Sequence, residues 1–441
     1  MLIKPLIVGL VLVAVTAHVS ASPSLLETYQ QALANDPQLA IARLNAENAQ
    51  QDVTTGYANV LPDVTANGSY RIGSDSGTES LFPSFDAQTL GGSITVSQNI
   101  FVLAAFTAYE AVKVNATISE IEAVYAEQEL MVRVSEGYIS ALRAKNALAV
   151  LQAQLEAVAR QYDQTQQRYD VGLVTITDVL DASATLDQTK VSLIRAESQY
   201  DIALQNLSVI TGTIPDGVQN ISESMPITSP SENGQQQWVD YAITQHPDII
   251  AAERGLEVGR LSLQAERENL LPRVSGSATF GYSDTFGSSA FDNDDETNWS
   301  ASYAISVSVP LYSGGADQVS VVKQGLSNNI AEQQVELLKR AKAVAVANLY
   351  RTVRADAQNV DAQIQALKSR DSALQATSVG YEVGTRNIVE VLNSQVAVFN
   401  AQNALNNARY DYLLDLLKLK KEAGQLALKD LESIEQYLIA D

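Results

Sequence analysis

The stretch Tyr169-Asp170-Val171-Gly172-Leu173-Val174-Thr175-Ile176-Thr177-Asp178-Val179-Leu180 returns 212 positions later as Tyr381-Glu382-Val383-Gly384-Thr385-Arg386-Asn387-Ile388-Val389-Glu390-Val391-Leu392. The echo extends outward from there. Asp36-Pro37 returns as His246-Pro247 and Leu61-Pro62 as Leu271-Pro272, both 210 positions on, and Gly212 has its counterpart in Gly424. An offset this constant across a chain of 441 residues marks a tandem duplication, so the fold contains two similar halves. The period is far too long for a solenoid unit, which makes each half a substantial substructure.

Each copy of the motif reads as helix, glycine, helix. Between Ala104 and Asp170 there is no proline, and glycine occurs only at Gly137. Leu148, Leu151, Leu155, Val158 and Tyr162 step by three and four along that stretch, a heptad seam. As continuous helix it spans ~100 Å at 1.5 Å per residue. Gly172 and Gly384 follow the last periodic residues, the position of a left-handed helix stop, so each half ends in an antiparallel helical hairpin with a tight tip. After the second tip Val391, Val398, Leu405, Tyr412 and Leu419 recur every seven residues, which favours a left-handed supercoil.

Segments of period two lie between the helices. Leu61-Pro62 opens one over residues 64–72 and Gly92 opens another over 93–101; the second half repeats them at 273–282 and 300–311. Polar loops are expected over 73–90 and 283–299. The latter carries Asp292-Asn293-Asp294-Asp295-Glu296, which lacks the glycine and the twelfth-position glutamate of an EF-hand, so a solvated loop is expected there and not a calcium site. The expected organisation is a signal peptide over 1–21, a first repeat over 22–211, a linker over 212–237, a second repeat over 238–424 and a tail over 425–441. The signal rests on Lys4, the apolar run from Leu6 to Ala17 and the small residues Val19-Ser20-Ala21.

Composition narrows the function. Cysteine is absent, which excludes disulfides, zinc-thiolate sites and a lipid-bearing N-terminal Cys. His18 leaves with the signal, so His246 alone remains; a histidine triad is improbable and a multi-histidine metal site is excluded. His246 precedes Pro247 where Asp36 precedes Pro37, and reads as a helix-start residue. The formal charge of −22 leaves no electrostatic footprint for nucleic acid. No nucleotide-binding or nucleophile motif appears, and no cofactor or metal is expected. After the signal no apolar run is long enough for a spanning helix.

Four strands per chain cannot stand in a bilayer, because open edges leave backbone donors and acceptors unsatisfied. Bacterial membrane barrels need at least eight strands, in even number. Two chains give eight, a barrel filled by its own side chains; three give twelve, enough for a passage. Both strand pairs run into long helices, so the barrel is continued by a helical tube.

At this point the chain resembles the TolC family of outer-membrane efflux and secretion channels. The likeness lies in the Leu-Pro pairs before strands one and three, Ile100-Phe101, Pro310-Leu311-Tyr312-Ser313-Gly314-Gly315 and both glycine-containing hairpins. It implies an α+β membrane protein in the outer membrane of a Gram-negative bacterium. The fold would be a homotrimeric twelve-stranded β-barrel, four strands per chain, continued by a long α-helical coiled-coil barrel in the periplasm. The implied role is a passive exit duct for tripartite efflux pumps and type I secretion systems, conducting drugs, other small molecules or proteins. The implied partners are a periplasmic adaptor, an inner-membrane transporter and outer-membrane lipid. A structural periplasmic coiled-coil rod is the alternative, but it leaves the strand pairs and Gly314-Gly315 without purpose. A carboxylate hydrolase is a third class, and no acidic pair here has a recognisable catalytic arrangement.

The resemblance also implies a periplasmic gate. Its matching positions are Thr177 and Asp178 on one hairpin, Tyr381 and Arg386 on the other, and Gln161 nearby. Arg386 offers Asp178 a charge-assisted pair, and the Tyr381 hydroxyl can donate to the same carboxylate. At a partly wet entrance each such link contributes ~1 kcal/mol. The plainer expectation is that these residues satisfy local backbone in a helical hairpin. Glu390 and Asn393, three apart on one helix face, match two acidic residues at the family's tightest constriction. Here the first is Glu and the second an uncharged amide, so a trimer would carry three carboxylates in place of six. A cation-preferring entrance, less sensitive to block by polyvalent cations, is expected. Gly172, Leu173, Gly384 and Thr385 at the tips are the expected adaptor contacts.

Overall fold

The computed structural model describes residues 22–74, 86–222, 224–231, 234–286 and 296–439; the expected signal peptide and the acidic run 292–295 lie outside them. The element order runs twice. The first half comprises α1 (Leu25–Asn35), α2 (Pro37–Ala58), β1 (Asp63–Ser74), β2 (Asp86–Phe101), α3 (Leu103–Asp170) and α4 (Ile176–Thr211). After a short β3 (Asn220–Ile221) the second comprises α5 (Gln235–Gln245), α6 (Pro247–Glu268), β4 (Arg273–Phe286), β5 (Glu296–Ser308), α7 (Ala316–Glu382) and α8 (Ile388–Glu422). The tail adds α9 (Leu428–Glu435) and β6 (Leu438–Ile439).

Capping chemistry sets the boundaries. Ser24 and Glu27 form a capping box on α1. Asp36 caps α2 by accepting from the Leu39 N–H at 2.9 Å, and Pro37 takes the first helical position. His246 does the same work for α6, its buried Nδ1 accepting from the Asp248 N–H at 3.1 Å. Gly212 ends α4 with φ +80° and Gly424 follows α8 with φ +70°.

The four long strands form one antiparallel sheet in the order β1-β2-β4-β5, so the central β2–β4 pairing joins the two repeats. Its register sorts the side chains. Val64, Ala66, Val96, Ile94, Ala278, Phe280, Tyr282, Ile305, Tyr303 and Trp299 fall on one face. Thr65, Asn67, Ser93, Thr95, Thr279, Ser277, Ser300 and Ser302 fall on the other, where the Thr95 and Thr279 hydroxyls hydrogen-bond at 3.2 Å. In a single chain Tyr303 is 74% and Ile305 76% exposed. Each such side chain left in water forfeits ~1.5–3 kcal/mol of burial, so the apolar face belongs in a bilayer and the hydroxyl face in an aqueous lumen.

The strands run further than alternation predicts. β1 reaches Ser74 and β2 begins at Asp86, inside the stretch expected as loop; β4 reaches Phe286 and β5 begins at Glu296. The ladder pairs backbone with backbone and continues through polar residues such as Asp284 opposite Thr297. β5 ends at Ser308, short of the expected 311, because Pro310 cannot donate to a ladder.

α3 pairs with α4, α7 with α8, and α3 also lies against α8, so the two hairpins stand side by side. The main core surrounds the fully buried Leu130, Tyr138 and Leu142 midway along α3, with α1, α5, α8 and α9 around them. The linker, which reads as featureless, is held there. The Lys145 ammonium donates to the Val218 carbonyl at 2.6 Å, Val218 is fully buried, and β3 pairs with β6. α5 starts within the segment assigned to the linker.

Candidate gate at the helical hairpin tips

Both tips turn on a left-handed glycine, Gly172 and Gly384, each with φ +77°. The Leu173 N–H donates to the Arg168 carbonyl and the Thr385 N–H to the Gly380 carbonyl, both at 2.8 Å, which satisfies the ends of α3 and α7. The Thr385 hydroxyl adds a bond to the same Gly380 carbonyl at 3.0 Å. Leu173, Val171 and Val383 project into solvent around the turns.

The next helices restart through side-chain caps. Asp178 Oδ2 accepts from both the Thr175 N–H and the Thr175 hydroxyl at 2.8 Å, completing a capping box at α4. Asn387 caps α8 by accepting from the Glu390 N–H at 2.9 Å. Thr177 is exposed beside Asp178. Arg386 Nη1 pairs with Glu390 Oε2 at 2.6 Å along the same helix. Within one chain, then, Asp178 serves its own helix start and Arg386 serves Glu390; the two are not paired with each other. Asn393 is exposed one turn beyond Glu390.

Above the tips the four long helices converge on Val158 of α3, Ala182 of α4 and Ile388, Val391 and Leu392 of α8, with Tyr162 and Tyr381 against them. Tyr381 and Gln161 share a cleft there, also lined by Gln164, Arg168, Ser378 and Glu382. The Tyr381 hydroxyl is buried and makes no hydrogen bond among the described residues. Its ring lies under the Arg168 guanidinium, 4.9 Å from centroid to Cζ. Sequence reading misses Arg168 because its contact is tertiary. It also misses the Arg386–Glu390 pair, which the i,i+4 spacing could have shown.

Comparison with known proteins identifies the family of the chain. The family model described as outer membrane efflux protein matches residues 28–213 and 238–425, one match for each half. The chain belongs to the outer membrane efflux protein family. Within it, the chain is 29% identical to the outer membrane protein TolC of Vibrio cholerae serotype O1, over 98% of each chain. It is 27% identical to the alkaline protease secretion protein AprF of Pseudomonas aeruginosa, over 94% of this chain and 87% of AprF. Among solved structures, CusC superposes with a TM-score of 0.78 at 17% identity, covering 92% of this chain and 93% of that one. As a member of this outer membrane efflux family the chain is an exit duct of the Gram-negative outer membrane, with an α+β channel-tunnel fold. That placement agrees with the sorted faces of its sheet. No helix among the described residues is long and apolar enough to cross a membrane.

Proposed function

We propose that three copies of this chain close a twelve-stranded barrel whose lumen continues into a tunnel of twelve long helices. The observation that carries this reading is the four-stranded sheet. It has an apolar face, a hydroxyl face, and β1 and β5 as edges without a partner strand among the described residues. Unpaired edges are untenable in hydrocarbon, and eight strands would enclose no passage. The duct serves tripartite efflux pumps and type I secretion, taking cargo from an inner-membrane transporter through a periplasmic adaptor. The exposed tips around Gly172, Leu173, Gly384 and Thr385 are the adaptor contacts.

The gate is the ring of hairpin tips. Copies related by three-fold symmetry bring Asp178 of one chain toward Arg386 of the next, and a carboxylate already holding Thr175 still has lone pairs for a guanidinium. Gln161 and Tyr381 hold the two hairpins of one chain together in the shared cleft. Glu390 and Asn393 form the narrowest ring. Its three carboxylates are partly neutralised by Arg386 at 2.6 Å, giving mild cation preference.

The test combines mass and conductance. Detergent-purified protein should have the mass of three chains and should give small, cation-selective single channels in planar bilayers. A monomer that forms no channels would return the periplasmic rod to the front.

A further inference from the structure

One contact at the tips has no place in the gate as described above. Arg168, in the last turn of α3, lays its guanidinium over the ring of Tyr381, in the last turn of α7. We propose that Arg168 is a positioning residue of the gate, and that it clamps Tyr381 through the face of its ring and not through its hydroxyl. The inference rests on the gate reading.

Four observations carry it. The two residues sit on different hairpins, so the contact ties α3 to α7, which otherwise meet here through α8 and the small apolar cluster. The Tyr381 hydroxyl is buried and has no hydrogen-bond partner among the described residues, so no link through it is seen within the chain. Among the described residues Arg168 makes no ion pair or hydrogen bond through its side chain, although Glu382 lines the same cleft. Its side chain is only partly exposed. A planar, weakly hydrated guanidinium is the cation best suited to stack on an aromatic face, and partial burial strengthens the attraction.

The mechanical consequence follows from placement. On this reading, opening that parts the α7–α8 hairpin from the α3–α4 hairpin draws the ring out from under the guanidinium. A hydrogen bond through the hydroxyl would be sensitive to one atom; a ring clamp is sensitive to the whole ring and to the shape of the cation. Summed over three copies, loss of a cation–π contact should raise open occupancy about tenfold to 100-fold.

The experiment is single-channel recording of the full-length purified protein in planar bilayers, with Arg168→Gln, Arg168→Lys, Tyr381→Phe and Tyr381→Leu. Arg168→Gln and Tyr381→Leu should each raise open occupancy at least about tenfold, with Arg168→Lys between wild type and Arg168→Gln. Tyr381→Phe, which keeps the ring, should open the channel far less than Tyr381→Leu. Melting temperatures measured alongside identify any variant that has lost its fold. If Tyr381→Phe opens the channel as far as Tyr381→Leu, the hydroxyl carries the link and the proposal is wrong. If Tyr381→Leu opens it and Arg168→Gln does not, Arg168 has no part in a gate that still stands. If Tyr381→Leu and Arg386→Ser both leave occupancy at the wild-type level, the gate reading falls and takes the clamp with it.

Discussion

Replacing Arg386 by serine removes two interactions of very different size, and the difference can be measured. Within the chain the Arg386–Glu390 pair is short at 2.6 Å, but its side chains are 59% and 38% exposed. An exposed i,i+4 pair is worth about 0.3–0.5 kcal/mol in each copy, and because it lies within one helix it persists in both states and shifts the closed–open balance little. A link from Arg386 to the next chain's Asp178 forms only in the closed ring and contributes ~1 kcal/mol in each of three copies. Losing about 3 kcal/mol raises open occupancy about 150-fold. Glu390→Gln breaks the intrachain pair and leaves Arg386 free for Asp178. The expected outcome in planar-bilayer recordings is therefore a large rise in open occupancy for Arg386→Ser and about twofold or less for Glu390→Gln. Cation selectivity should also rise in Arg386→Ser, because three carboxylates lose their neutralising partner. Equal, small effects of the two substitutions would refute the interchain link and confine Arg386 to its own helix.

Three further outcomes are expected. Asn393→Asp adds a second carboxylate on the Glu390 face, and block by a trivalent cation should strengthen several-fold in current recordings; unchanged block would remove Asn393 from the constriction. Burial, then Asp415 and Asp411 nearby, push Asp356 up to about 6. A carboxyl raised in the fold contributes stability that is complete below its ordinary 3.8 and lost as pH rises through about 6. Asp356→Asn should therefore raise the melting temperature at pH 7.5, with a smaller gain at pH 5; equal gains would place the effect elsewhere. Asp36 is buried, caps α2 and receives both Arg133 Nη1 at 3.1 Å and Nη2 at 2.6 Å. Asp36→Ala strands that guanidinium and should cost ~3–5 kcal/mol in chemical denaturation of the assembled protein, where a loss under 1 kcal/mol would show that water replaces the carboxylate.

Much of this molecule is written locally. The duplication, the helix stops at Gly172 and Gly384, the capped restarts and the strand alternation each depend on a few neighbouring residues and on backbone geometry that glycine, proline and short polar side chains dictate. The outer-membrane placement is legible for the same reason: period-two alternation puts Tyr303 and Ile305 on one side and Ser302 and Ser306 on the other whatever the sheet pairs with. The tertiary structure decided what separate segments do to one another. It set the ends of the strands, because a ladder needs a partner backbone and no particular side chain. It paired residues 220–221 with 438–439, giving the quiet linker and tail a place in the core. At the gate it laid Arg168 on Tyr381, 213 positions away, whereas Asp178 with Thr175 and Arg386 with Glu390 are partners within one helix start. A charged side chain on a helix has several partners within reach, and sequence shows only those three or four positions away; which of the rest it meets depends on how two hairpins pack, and that is fixed by the summed burial along their whole length.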